Sequence, residues 1–424
     1  MSHPPAFHYR CARCGRTYPG DRLRYTCPHD QGNLDIVLDY TALRARLSPD
    51  TFPGAEAEPS QWRYLPLLPI ADPGGQGTPL RRVGWTPLYA PPRLRAALGL
   101  PRLVLKDESP NPTASFKDRA SALVVAHARQ THAQVLITAS TGNAGAALAG
   151  MAAAVGARAV ILAPRRAPEA KIAQLLIYGA RVVLVDGTYD DAFDLSVRAA
   201  AELGWYCRNT GYNPFTAEGK KTAGLEIWEQ CLRDDPAPQR WHIFVPVGDG
   251  NIISGVYKGL WDLQQLGWLP QLPRLHGVQA AGSAAIAQAW AAGHDTIRPV
   301  QARTLADSIA VDLPRDGYRA LCAVRVTGGR YWVVSDDDIL AALAMLGRAG
   351  IFVEPAAAAA FAGVRQAREQ GYLTADDPVL VLLTGSGLKD IAAARQAVTP
   401  PPVVAPGDLD HLRSLLTASQ GGTT

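Results

Sequence analysis

From residue 101 the chain alternates short apolar runs with alanine-rich stretches of helical length, and this alternation restricts its fold more than any other feature. The apolar run at 103–105 precedes a helical stretch at 120–128, that at 135–138 precedes 144–154, that at 159–162 precedes 169–178, and that at 182–185 precedes 191–203. A second set follows, with 243–247 and a helix through 266, 275–279 and a helix through 292, and a last run at 379–383. Short unbroken apolar strands separated by helices assemble as parallel sheets with helices on both faces. The pattern predicts an α/β chain with two parallel-sheet domains, in which ligands bind beyond the carboxyl ends of the strands.

Residues 41–100 are rich in proline and glycine; the stretches at 73–77 and 84–87 are turn chemistry, so this part reads as an extended, wrapping segment. Ahead of it, Cys11-Ala-Arg-Cys14 and Cys27-Pro-His-Asp30 resemble the two knuckles of a zinc ribbon. The fourth position holds Asp30 with His29 beside it, so a site of three cysteines completed by Asp or His and a ribbon that has lost its metal both fit; either role is structural, because a closed site offers no position for substrate. After residue 398 a proline-rich linker leads to a short final helix.

Hydrophobic residues at 47% and charged residues at 19% are those of a globular protein able to bury a core in each domain. A net charge of +4 without a dense basic block gives no footprint for nucleic acid or an anionic membrane. No apolar leader follows the polar first residues and no apolar run reaches spanning length, so a cytoplasmic protein is expected. The six cysteines do not form a disulfide framework.

Four strand-to-turn junctions carry chemistry. In the first, Ser109 to Arg119, two prolines stiffen the approach, Ser115 is the expected N-cap, and Lys117 falls in the first helical turn. The positive end of a helix lowers an amine's pKa there and favours a neutral nucleophile. In the second, Thr138-Ala-Ser-Thr-Gly-Asn143 ends a strand and opens a helix, which is an anion site by geometry. The third is Pro246-Val-Gly-Asp-Gly-Asn251, whose glycines let backbone N–H groups converge on a phosphate. A dinucleotide fingerprint would need glycine at Ile253, and a P-loop would need Lys-Ser/Thr where Val256-Tyr257 stand, so a monophosphate is the better reading. The fourth is Leu383-Thr-Gly-Ser-Gly-Leu-Lys-Asp390, in which Thr384 ends the last strand with a hydroxyl. A nucleophilic lysine, a one-phosphate loop, groups for ring atoms and a turn for a carboxylate are what pyridoxal phosphate needs.

The runs Asn111-Pro-Thr-Ala-Ser-Phe-Lys-Asp-Arg119, Ser140-Thr-Gly-Asn143, Glu218-Gly-Lys-Lys-Thr222, Pro246-Val-Gly-Asp-Gly250, Val353-Glu-Pro355 and Thr384-Gly-Ser-Gly-Leu-Lys-Asp390 resemble, in order and spacing, those of the threonine synthase family, among the tryptophan-synthase-like, fold type II pyridoxal phosphate enzymes. The resemblance covers about residues 80–395 and implies a tryptophan-synthase β-like fold, to which the cysteine spacing adds a small zinc-ribbon-like appendage at 1–40. A large cofactor domain would comprise 41–100 and 220–398, a smaller one with the Schiff-base lysine 101–219, and a tail 399–424. It makes Lys117 the Schiff-base lysine and proton shuttle, Asn143 the partner of the ring hydroxyl, Gly248, Asp249, Gly250 and Asn251 the phosphate loop, and Thr384 the partner of the ring nitrogen. Ser140, Thr141 and Gly142 would hold the substrate carboxylate; outside the resemblance, the knuckle spacing makes Cys11, Cys14, Cys27 and Asp30 the candidate ligands of a structural zinc. The implied protein is a cytoplasmic homodimer acting on an amino acid: O-phospho-L-homoserine plus water to L-threonine plus phosphate, or alternatively ammonia release from threonine or serine. A binding protein that kept the fold and lost catalysis is a third reading, opposed by Lys117, Asn143 and Thr384.

Three departures mark this chain. Ala114 stands where the family commonly has glycine, the phosphate loop is one residue shorter than the form with consecutive glycines, and Thr216 follows Asn213-Pro-Phe215 where the family often has a phosphate-gripping arginine. Lys220 and Lys221 are the candidates for a replacing cation.

Overall fold

The computed structural model describes residues 4–165 and 169–418. Its larger sheet has six strands in the order Tyr331–Val334, Arg274–Ala280, His242–Pro246, Val379–Leu383, Leu103–Asp107 and Leu88–Tyr89. The first five run parallel, and the two-residue edge strand is antiparallel. His242–Pro246 and Val379–Leu383 are buried at every position, as unbroken apolar runs covered by helices on both faces must be. The smaller sheet, parallel throughout, has the order Arg181–Val185, Arg158–Pro164, Val135–Ala139 and Tyr206–Cys207.

Two expected boundaries are corrected. Leu103–Asp107 falls within the expected smaller domain at 101–219, yet every residue of it pairs with Val379–Leu383, and Leu103 and Leu105 pack with Phe244, Val278 and Val381. It therefore belongs to the larger sheet, and the Lys117–Gln130 helix that follows carries the chain across to the smaller one. The division at 219/220 falls inside one continuous helix, Pro214–Ile227, which is buried along its whole length. That helix packs against both Lys117–Gln130 and Asn251–Gln265, so it joins the two halves.

Residues 4–40 hold a three-stranded antiparallel sheet in the order Thr17–Pro19, Phe7–Cys11, Leu34–Leu38. Tyr9, Leu34, Ile36 and Leu38 are buried in the same apolar cluster as Phe215 and Leu225, which fuses this module to the body. The proline-rich segment wraps as expected: Trp62, Tyr64, Leu67 and Leu68 are buried, the Trp62 indole donates to the Leu80 carbonyl at 2.9 Å, and Arg63 pairs with Glu229 at 2.7 Å. The expected final helix is Leu409–Ala418; residues 419–424 of the tail lie outside the described residues. Among the described residues no helix is long and apolar enough to cross a membrane.

Candidate active site

Beyond the carboxyl ends of the strands lies a cavity of about 430 Å³ lined by Lys117, Ser140–Asn143, Pro246–Asn251 and Thr384. All four junctions thus meet at one place. Lys117 is the first residue of its helix. The turn before it is held by its own side chains. Asn111 accepts from the Gly84 N–H at 3.0 Å and donates to Glu108 at 2.8 Å, while the Asp118 carboxylate receives both the N–H and the hydroxyl of Thr113. Arg119 forks onto Glu108, both bonds at 2.8 Å, and reaches Glu226 at 2.9 Å, which also takes Lys106 at 2.7 Å. These groups are fully buried, so the bidentate pairing and full satisfaction hold the turn in one geometry.

Two details of the turn differ from expectation. Ser115 is not the N-cap: the helix starts one residue later, from Phe116, and the Ser115 hydroxyl is buried without a hydrogen-bond partner. Its backbone is used instead as a bridge to Gly385. Burial, more than the helix end, pushes the Lys117 amine below the ordinary lysine range; the charge of Arg208 adds to this, while Glu354 and Asp249 oppose it.

Val135–Ala139 ends at Ser140, whose hydroxyl accepts the Gly142 N–H at 3.2 Å, and the Asn143–Ala153 helix begins directly after. The Asn143 amide donates to Glu354 at 2.8 Å and to Ser308 at 3.3 Å. On the facing sheet, His242–Pro246 leads into Gly248-Asp-Gly-Asn251 and the Asn251–Gln265 helix. Gly250 has φ of 94°, and a Cβ there would lie 2.7 Å from the Asp316 carbonyl oxygen; one at Gly248 would lie 2.8 Å from the Ile309 Cα. The loop is therefore closed to side chains at both glycines, leaving backbone and a helix N-terminus facing the cavity. Asp249 is turned toward the Arg315 backbone N–H, which it accepts at 2.5 Å, and burial pushes its carboxyl up to about 7. Thr384 closes the last wall, its carbonyl accepting the Phe116 N–H at 2.8 Å.

These features fit pyridoxal phosphate: a buried amine, a glycine cradle on a helix end, and buried Glu354 Oε1 and Arg208 Nη2 atoms without protein partners close by. The pyridoxal-phosphate dependent enzyme family matches residues 80–385. The chain is 36% identical to the threonine synthase of Methanocaldococcus jannaschii over 96% of its own length and 98% of that protein, and 34% identical to that of Mycobacterium leprae over 82% and 94%. The chain belongs to the threonine synthase family. Among solved structures, threonine deaminase isoform 2 of Solanum lycopersicum (24% identity, TM-score 0.63, 74% of this chain and 87% of that one) shares the fold. So does diaminopropionate ammonia lyase of Escherichia coli (23% identity, TM-score 0.64, the same coverage).

This member of the threonine synthase family is a pyridoxal phosphate-dependent lyase whose departures can now be placed. Thr216 is buried in its helix, donates to the Asn213 carbonyl at 2.7 Å and is not among the cavity-lining residues. Lys221 is corrected as a replacing cation: it is held by Glu218 at 2.5 Å and Asp262 at 2.8 Å, also away from the cavity. Lys220 and Arg315 do line it. Glu354 and Arg208 went unassigned in the sequence. The signal for Glu354 was Pro355 at the first position of a helix, while Arg208 follows a two-residue strand that no pattern announces.

In the N-terminal module the ligand atoms of Cys11, Cys14, Cys27 and Asp30 all lie within 4.8 Å of one another. The Cys14 and Cys27 sulfurs are 3.7 Å apart and Cys11 Sγ is 3.3 Å from Asp30 Oδ1. A tetrahedron with zinc–sulfur bonds of about 2.3 Å has edges of about 3.8 Å, so the spacing of this donor set, which includes Asp30, fits zinc.

Proposed function

We propose that this protein converts O-phospho-L-homoserine and water to L-threonine and phosphate. The reading rests on the meeting of Lys117, Ser140–Asn143, Gly248–Asn251 and Thr384 at one cavity, in a chain similar to threonine synthases over nearly their whole length. Pyridoxal phosphate supplies an electron sink when bound, which stabilises negative charge at the substrate's α-carbon. Lys117 would hold it, and its amine, which burial pushes below the ordinary lysine range, would take the α-proton and return protons along the substrate. Asn143, braced by Glu354, orients the ring hydroxyl. The backbone of Gly248, Asp249, Gly250 and Asn251 takes the phosphate, and Ser140, Thr141 and Gly142 take the substrate carboxylate. Thr384 would meet the ring nitrogen with a neutral hydroxyl, which would not stabilise a protonated ring as a carboxylate does and so would favour elimination and replacement at the β and γ carbons over transamination.

The Asp30 site is proposed to hold one structural zinc per chain, remote from catalysis but coupled to the site's frame. Asn33 in this module donates to the carbonyls of Gly211 at 2.5 Å and Arg315 at 3.1 Å. Metal analysis should give one zinc, and a chelator should lower thermal stability; chelation that stops turnover while leaving the melting curve unmoved would contradict a structural role. A cytoplasmic homodimer is also proposed, to be checked by sedimentation.

The direct test of the lysine is Lys117→Ala. Borohydride reduction of the wild-type holoenzyme should fix the cofactor on the peptide containing Lys117, and the variant should yield neither that adduct nor threonine. Trapping on another lysine would overturn the assignment.

A further inference from the structure

We infer that Lys220 supplies the cation for a phosphate monoester held at the Gly248–Asn251 loop, an inference that rests on the reading of that loop given above. Lys220 is fully buried and lines the cavity. Its Nζ donates to Asn251 Oδ1 at 2.6 Å, and the Asn251 amide nitrogen donates in turn to Asp316 at 2.6 Å. This relay fixes the amide so that its oxygen faces Lys220, holding Nζ at the last residue of the glycine loop.

The counter-charge is the telling point. Three other buried lysines each have carboxylates in contact: Lys106 has Glu226, Lys221 has Glu218 and Asp262, and Lys258 has Asp262 and Glu218. Among the described residues, Lys220 has no carboxylate within ion-pair distance. Asp316, the acid behind Asn251, is already forked onto Arg319; Asp249 accepts the Arg315 backbone N–H with Oδ1, keeps Oδ2 unpartnered, and acts on Lys220 only from beyond ion-pair distance. The remaining charged neighbours are positive. Burial first, then the charges of Arg208 and Lys117, push the Lys220 amine well below the ordinary lysine range, with Asp249 and Asp316 opposing, and Arg208, bonded to Ser121 and Thr210, keeps Nη2 without a partner.

Buried charges persist only when paired. A buried Lys220 with no carboxylate in contact, lining the cavity beside two glycines closed to side chains and the N-terminus of a fifteen-residue helix, calls for an anion that restores its charge. A phosphate monoester supplies that charge and several acceptor oxygens. The cofactor and a phosphorylated substrate both carry one.

The test uses the full chain freed of cofactor, with Lys220→Met and the charge-keeping Lys220→Arg. Dissociation constants are measured for pyridoxal phosphate and for pyridoxal, which lacks the phosphate. Loss of a charge-assisted contact should weaken pyridoxal phosphate about 10- to 100-fold in Lys220→Met, with pyridoxal unchanged and Lys220→Arg restoring most of the difference. An effect confined to the apparent affinity for O-phospho-L-homoserine in the loaded enzyme, whose loop the cofactor's phosphate already fills, would move the cation to the substrate's phosphate and overturn its placement at the loop. An unchanged preference for phosphorylated over unphosphorylated ligand in both arms overturns the inference. Should Lys220→Met fail to fold, lysine acylation of the wild-type apoprotein serves instead: inorganic phosphate should protect Lys220, and equal labelling with and without phosphate refutes the role. If the wild-type chain bound no pyridoxal phosphate at all, the proposed function would fail, an outcome distinct from the failure of Lys220.

Discussion

Ala114 offers a sharp test of how the Lys117 turn is built. It adopts φ of 63°, in the left-handed region. The position cannot relax easily, because its N–H donates to the Asn111 carbonyl at 2.7 Å and its own carbonyl accepts the Ser386 N–H at 3.1 Å. An L-residue in this region costs about 1–2 kcal/mol relative to a right-handed one, a cost glycine does not carry. Against that, glycine gives the unfolded chain extra freedom worth about 0.4–1 kcal/mol. The difference favours Ala114→Gly by roughly 0.5–1 kcal/mol, whereas Ala114→Val, with a branched Cβ at the same φ, should destabilise by at least as much. Urea unfolding of the full apoprotein, followed by tryptophan fluorescence, should give midpoints in the order Gly, Ala, Val from highest to lowest. A Gly variant below wild type, or a Val variant equal to it, would refute the claim that φ governs this position.

The buried network behind the turn should be far less tolerant: Glu226→Gln leaves Lys106 and part of Arg119 without their anion and should cost about 3–5 kcal/mol in the same assay. Burial pushes the Asp118 carboxyl up to about 6 from its ordinary 3.8, despite two hydrogen bonds from Thr113. The folded protein therefore binds this proton where the unfolded chain has lost it, so the group's contribution is fully present below about pH 4 and is lost as pH rises through about 6; Asp118→Asn should remove that part of the stability slope. Lys221→Met should lower stability by several kcal/mol through Glu218 and Asp262 and leave the preference for phosphorylated ligands unchanged. Thr216→Arg forces a long cation into a fully buried helix and should lower the urea midpoint without strengthening substrate binding.

The parts legible in the sequence were local ones. A short apolar run followed by a glycine or hydroxyl turn and a helix marks a strand end, and all four such ends proved to face one cavity, because parallel sheets put their carboxyl ends together. What depended on distant pairing was not legible. Leu103–Asp107 has the same composition as strands of the smaller sheet, and only its pairing with Val379–Leu383 decides where it lies. Lys220 and Lys221 are adjacent in a helix buried on every face, so no amphipathic pattern shows which one faces the cavity. Ser115 has the residue type of an N-cap, but its backbone is claimed by Gly385, a partner 270 positions away. Glu354 becomes important only because Asn143 reaches it from the other sheet.

The central claim is the reaction. The most direct measurement incubates the holoenzyme with O-phospho-L-homoserine and, in parallel, with L-threonine and L-serine, and quantifies phosphate, threonine and ammonia from each. The account predicts phosphate and threonine in equal amounts from the first, with little ammonia from the other two. Ammonia from threonine or serine, with no phosphate released from O-phospho-L-homoserine, would contradict it.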